Sequence, residues 1–362
     1  MNLGPAKWTA WIVSAVGALL ALVGYFLARP QFFRAYWMAW LFWGGLSIGA
    51  LALISLQALT GGRWTALLRL PAQAAAATLP LTAVLIVPLA FGFREVFPWA
   101  APGFFDGKSL PHHQAYLTVG WFWFRAILYF AILIPLAFFI RAFARARELK
   151  PESANRSIHV GLGGIGAVAF IFCTHFMVTD WIMSLEVDWS STVFATIFMS
   201  SQFLSVLALS ALVVLYKMPS GVAEKEVLRD IGNLLLAFVI FWAYVSFSQF
   251  LIIWAGNLPH EISWYVHRRE AGWPFVVLAL GLAQFLLPFA LLLSRSVKHR
   301  PRVLAGIAAW ILAANVLHDY WLIAPSWHPH SAAPHWLDLV MFITVGGVWL
   351  GIYFRKLEAA YV

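Results

Sequence analysis

Residues 193–216 read VFATIFMSSQFLSVLALSALVVLY, a run of 24 positions without one charged side chain. A helix of that length extends about 36 Å at 1.5 Å per residue, enough to cross roughly 30 Å of hydrocarbon. Inside a bilayer the backbone has no water to bond with, so such a run is read as a helix that satisfies its own N–H and C=O groups. Working outward, nine further runs have the same character: Trp8–Ala28, Ala35–Ala58, Ala72–Gly92, Leu117–Ile140, His159–Asp180, Ile231–Trp254, Trp273–Ser294, Val303–Ile323 and Trp336–Phe354. The first of them resembles a signal peptide behind Lys7. Its length exceeds a typical signal core, and Arg29-Pro30 is a poor cleavage site, so it is read as a retained helix. Pro80, Pro88, Pro135 and Pro288 lie inside runs and are expected as kinks.

Composition agrees. Of 362 residues, 62% are hydrophobic and 11% charged, where a soluble domain carries roughly 45–50% and about 25%. That excludes a water-soluble globular enzyme, a disordered chain and a nucleic-acid-binding module. The net charge of +9 comes from 24 Lys and Arg scattered between apolar runs, a placement that orients membrane segments. The lone Cys173 leaves no internal disulfide and no Cys set for zinc, an iron–sulfur cluster or a c-type haem. With few histidines inside the runs, bound haem is not expected either. The expected fold is an all-α polytopic membrane protein of about ten transmembrane helices.

Ten crossings put both termini on one side. The segments on that side carry Lys7, Arg63, Arg69, Arg141, Arg145, Arg147, Lys150, Arg156, Lys217, Lys225, Arg229, Arg295, Lys298, Arg300, Arg302, Arg355 and Lys356, 17 in all. The other side holds six: Arg29, Arg34, Arg94, Lys108, Arg268 and Arg269. The positive-inside rule then places both termini in the cytoplasm. The opposite face collects Glu95, Asp106, His112, His113, Glu186, Asp188, Glu261, Glu270, His328, His330 and His335. These are proton-exchanging groups, and they are also what any wet loop carries.

Ionisable residues inside a membrane cost about 2.5–3.5 kcal/mol each on insertion scales and are functional candidates by default. Arg125 lies roughly 12 Å into the fourth run, and Asp180, at the end of the fifth, is its nearest partner. The pair reads equally as a structural ion pair or as a group that handles substrate or protons. His175 is five residues before Asp180, 140° away around the helix, so the two face different sides. In the ninth run Asn315, His318 and Asp319 share one face. In the seventh, Trp242, Ser246 and Gln249 form one stripe and Tyr244 with Ser248 another, which suits a water file or ordinary interhelical hydrogen bonds. Glu186, Glu261 and His112 are secondary candidates. Gly161–Gly166 matches a dinucleotide fingerprint by letters but opens an apolar helix, where small residues permit close helix approach. Asn155-Arg156-Ser157 is a glycosylation sequon by letters, on the side expected to be cytoplasmic.

Several longer motifs carry a family resemblance. They are Asp180-Trp181-Ile182-Met183-Ser184-Leu185-Glu186 with Trp189-Ser190-Ser191-Thr192, the stretch from Phe247 to Pro259, Glu261-Ile262-Ser263-Trp264-Tyr265 with Arg268-Arg269, and Leu287-Pro288-Phe289 with Leu291–Arg295. Over about residues 115–355 the chain resembles the ActF subunit of bacterial alternative complex III, a relative of NrfD- and PsrC-type membrane subunits. The resemblance implies two four-helix bundles, residues 35–180 and 193–323, with flanking helices in 1–34 and 336–362. It implies a place in the bacterial inner membrane, within a complex that oxidises quinol and reduces a cytochrome c or a terminal oxidase. Iron–sulfur clusters and haem c would then sit on partner subunits, beside a sister subunit of the same fold. Asp180 matches by position an Asp of the family's quinol site, and His112, His113 and His175 are candidates for its histidine. The expectation is a quinone-proximal or proton-conducting subunit. A secondary transporter with a midplane site, or a passive scaffold, are the competing classes.

Overall fold

A computed structural model describes residues 3–107, 110–149, 155–216, 218 and 224–361. Lys108, Lys150 and Lys217, counted in the charge bias, lie outside the described residues. No strand occurs among the described residues, and ten helices are long and apolar enough to cross a membrane. They are α1 (Gly4–Leu27), α2 (Arg29–Thr60), α3 (Arg63–Phe91, in pieces), α4 (Val119–Leu149), α5 (Arg156–Trp181), α6 (Phe194–Leu215), α7 (Lys225–Gly256), α8 (Trp273–Leu293), α9 (Pro301–Ile323) and α10 (Trp336–Tyr361). Each expected run overlaps one of them, and the chain is an all-α polytopic membrane protein.

The ends differ from the sequence reading for identifiable reasons. α2 starts at Arg29, directly after a one-residue turn at Ala28 with φ −150° and ψ 64°. Pro30 fits its first turn. Its polar start is held by partners, since Gln31 Nε2 donates to Asp338 Oδ1 at 2.8 Å and Arg34 Nε to the Glu95 carbonyl at 3.1 Å. α3 starts at Arg63 rather than Ala72, and Pro80 and Pro88 break it instead of merely kinking it. Its pieces are Arg63–Ala76, Leu79–Val84 and a 3₁₀ turn at Val87–Phe91. Each proline forbids an N–H bond and disfavours helix for the residue before it. Pro135 lies inside a continuous α4. Ahead of Pro288, α8 widens into a π-helical turn over Gly281–Leu286, one recognised way to accommodate a proline ring. Asn155 is the N-cap of α5: its Oδ1 accepts from Ser157 N at 2.9 Å and from Ile158 N at 3.4 Å.

Helices α2 to α5 pack on one another, as do α6 to α9, while α10 packs on α1, α2 and α3. The two groups meet through α2 and α6. These two are the inner helices: their apolar windows are 83% and 78% buried, against 22–33% for α1, α4, α5, α7 and α8. The glycine run of α5 lies against α2. A Cβ on Gly163 would stand 2.7 Å from Ala58 Cβ, and one on Gly166 would stand 2.5 Å from Ser55 Oγ. The small-residue reading of that run is therefore the one the packing supports.

The connections after odd-numbered helices form one face, and they interlock. Trp327 Nε1 donates to the Val96 carbonyl at 2.9 Å, His328 Nε2 meets Gln31 Oε1 at 2.9 Å, and Ala332 N donates to the Ala271 carbonyl at 3.0 Å. This face carries His112, His113, His260, His267, His328, His330 and His335, and is called the histidine-rich face below. The opposite face is basic, with pairs Lys7–Glu358, Arg63–Glu224, Arg63–Glu226 and Arg69–Glu148.

Candidate functional site

Three polar assemblies sit at or below the histidine-rich face. The first is built on Asp180, which is fully buried where α5 ends. Arg125 of α4 reaches it with Nε 2.9 Å from Oδ2 and with Nη2 2.8 Å from Oδ1 in an ion-pair contact off the hydrogen-bond direction. Tyr129, one turn after Arg125, donates its hydroxyl to Oδ2 at 2.6 Å. Arg125 Nη1 donates to the Tyr116 carbonyl at 3.2 Å, and the guanidinium carbon lies 3.9 Å from the centre of the Tyr116 ring. The ion pair expected from the sequence is present. Tyr129 was missed, although its place at i+4 from Arg125 signals the shared face.

On the other side of Tyr116 is a cavity of about 780 Å³ between the two helix groups. The short helix Pro111–Tyr116 contributes His112, His113 and Tyr116, α5 contributes His175 and Thr179, and α7 contributes Gln249 and Ile253. Ser190, Ser191, Thr192 and Glu261 come from the connections. Phe176, Val193 and Ile252 give it an apolar side. Gln249 is buried, its Oε1 accepting from Ser191 Oγ at 3.2 Å and its Nε2 donating to Tyr265 Oη at 3.4 Å. The His175 imidazole packs edge-on against Phe176 and makes no hydrogen bond to another described residue. His112, His175, Gln249 and Glu261 are thus brought together, while Asp180 stays behind Tyr116, as the 140° offset from His175 requires. Burial pushes the Tyr116 and Tyr265 phenols up, Tyr265 to about 12, so both remain neutral hydrogen-bonding groups near neutral pH.

The second assembly fills the core of α6 to α9. His318 is fully buried, and Trp242 Nε1 donates to its Nε2 at 3.1 Å. Its Nδ1 lies 3.3 Å from Asp319 Oδ1. Asp319 Oδ2 accepts from Gln202 Nε2 at 3.1 Å, and Asn315 Oδ1 accepts from Gln284 Nε2 at 2.6 Å. The ninth-helix triplet therefore shares one buried face, with amide partners from α6 and α8 that lone glutamines in apolar runs do not announce. The seventh-helix stripe is divided: Gln249 faces the cavity, whereas Trp242 and Ser246 line a separate groove against α8.

The third assembly is a clasp. Glu186 accepts from Arg268 Nη1 at 2.8 Å and from Ser326 Oγ at 2.9 Å, and it meets His267 Nδ1 at 3.0 Å. Arg268 is 3% exposed, with its guanidinium carbon 3.6 Å from the centre of the Trp264 ring. Burial pushes the Arg268 guanidinium down to about 10, against the pull of Glu186. Glu186 is thus fully engaged in joining the connection after α5 to those after α7 and α9. No cluster of three or more His, Cys, Asp or Glu side chains with metal-binding geometry occurs among the described residues. No family model and no curated protein matches the chain.

Proposed function

We propose that this protein is a membrane subunit of a quinol-oxidising respiratory complex of the alternative complex III type, and that the cavity beside Tyr116 takes the quinol ring. One observation carries the reading: His112, His175, Gln249 and Glu261, from four separate segments, line one cavity at the end of the helices. A two-electron oxidation of a quinol releases two protons. His175 and Glu261 are free enough to take them, and Gln249 and Ser191 can orient a ring hydroxyl. Phe176, Val193 and Ile252 suit an apolar ring edge and tail. Asp180 lies behind the wall, held by Arg125 and Tyr129, and through Arg125 it positions Tyr116 at the side of the cavity. The two electrons pass to an acceptor on a partner subunit, an iron–sulfur protein or a c-type cytochrome, with a terminal oxidase downstream. The His318–Asp319 pair lies on a second polar path, suited to moving protons across α6 to α9. In this reading the basic face and both termini are cytoplasmic, in the bacterial inner membrane, as the charge distribution supports.

The test uses the complex purified from its native membrane. An azido-quinone should photolabel peptides from α5 and α7. His175→Leu and Glu261→Gln should each lower quinol-supported cytochrome c reduction per assembled complex at least tenfold. Unchanged turnover in both variants, with label elsewhere, would overturn the reading. A chain that copurifies without haem- or cluster-bearing subunits and carries solute flux in liposomes would favour a transporter instead.

A further inference from the structure

A groove of about 1300 Å³ runs between α7 and α8 on the outside of the bundle. Its walls are apolar, with Phe247, Phe250, Trp254 and Phe285 among them, and along α7 it reaches inward past Trp242 to Ile240. From Gly256, at the end of α7, to Trp242 is fourteen residues, or about 21 Å of helical rise. With 32 residues α7 is about 48 Å long and overhangs roughly 30 Å of hydrocarbon by about 9 Å at each end, so the groove spans a headgroup region and most of one leaflet, the reach of a single lipid. Its charge is one-sided: Arg268 and Arg269 line it and no carboxylate does. The histidine cavity is the reverse, with Glu261 and no Lys or Arg. Arg268 is already committed to Glu186, but Arg269 is exposed and forms no ion pair with a described residue. It stands on the histidine-rich face, where basic residues are scarce, thirteen positions beyond the end of α7.

We propose that this groove is a binding site for an anionic phospholipid, whose acyl chains lie along α7 from Asn257 to Trp242 and whose phosphate is held by Arg269. The site lies across α7 from the quinol cavity, with Ile253 lining both, and a lipid here would brace the helix that carries Gln249 into the cavity. A basic side chain near a membrane surface contributes about 1 kcal/mol of attraction to anionic lipid, which corresponds to about fivefold in affinity.

Gly281 supplies a steric test, since it lines the groove and a Cβ there meets nothing within 4 Å. Detergent-purified protein, with whatever partners it retains, is stripped of lipid. It is then titrated with dioleoyl phosphatidylglycerol or dioleoyl phosphatidylcholine, and bound lipid is read by native mass spectrometry. The expected result is about fivefold tighter binding of phosphatidylglycerol, a preference abolished by Arg269→Gln and kept by the control Arg94→Gln. Gly281→Trp should reduce binding of both lipids at least fivefold, with elution volume and helical content unchanged. Equal binding of the two lipids, or a preference that survives Arg269→Gln, would overturn the proposal. So would unaltered binding to Gly281→Trp, or crosslinking that places a partner's helix against Phe250.

Discussion

The indole N–H of Trp242 is directed at Nε2 of His318, 3.1 Å away, which leaves the imidazole proton on Nδ1, facing Asp319. One ring therefore has its tautomer fixed by a neighbour on another helix, well inside the apolar part of the protein. A histidine so held hands on a proton only if the Trp242 contact opens.

Replacing Trp242 with Phe tests this. The change removes the donor and leaves a buried imidazole nitrogen without a partner, which costs about 1–3 kcal/mol. The expected outcome is a lower thermal midpoint in detergent, together with nitrogen NMR shifts of His318 that report a mixture of tautomers instead of one. A single unchanged tautomer would show that Asp319 alone fixes the ring.

The Arg125–Asp180 contact is buried on both sides, with side-chain exposures of 13% and 0%. Arg125→Gln alone leaves the buried carboxylate without its cation, with the Tyr129 hydroxyl still donating to it, and should cost about 3–5 kcal/mol. Adding Asp180→Asn should recover part of that loss. A double-mutant cycle on thermal unfolding should give a coupling of about 0.5–3 kcal/mol, whereas additive losses would mean that the two residues act separately.

Tyr116 separates this ion pair from the cavity. Tyr116→Phe keeps the ring over the guanidinium and should leave stability nearly unchanged. Tyr116→Ala removes the stacking, worth about 0.5–2 kcal/mol, and joins the cavity to the ion pair. Thermal midpoints of the three forms decide it, and equal losses for Phe and Ala would assign the effect to the hydroxyl.

His328, outside the spans, is held below the usual imidazole range by burial first and then by Arg34 and His335. The unfolded chain therefore takes up its proton at higher pH than the folded one. The contribution of His328 to stability is full above about pH 6.5, is lost as pH drops below it, and levels off beneath the folded value. His328→Gln should flatten the acid side of a midpoint-versus-pH curve, and an unchanged slope would assign the acid sensitivity to other groups.

The spans were legible because lipid demands long apolar helices, and the Arg125–Asp180 pair was legible because an isolated intramembrane charge requires a partner. The break in α3 was half legible: Pro80 and Pro88 signalled a disturbance without showing that the helix would end at Ala76 and resume at Leu79. The cavity was not legible. Its walls come from the segments around His112, His175, Ser191, Gln249 and Glu261, and no periodicity within one helix reports proximity across such separations. Glu186 and Arg268 lie 82 positions apart in two connections, and there the sequence offers charge without geometry.

The position of α2 has a consequence for biogenesis. It precedes α5, α6, α9 and α10 in the chain, yet its surface is shared among them. Until α6 arrives, the stripe that will receive Gln202 beside Gly45 and Gly49 has only lipid or an insertase to shelter it. A nascent chain halted after α5 should therefore linger as a client of the membrane-insertion machinery and be cleared by membrane proteases, rather than persist as a free-standing half.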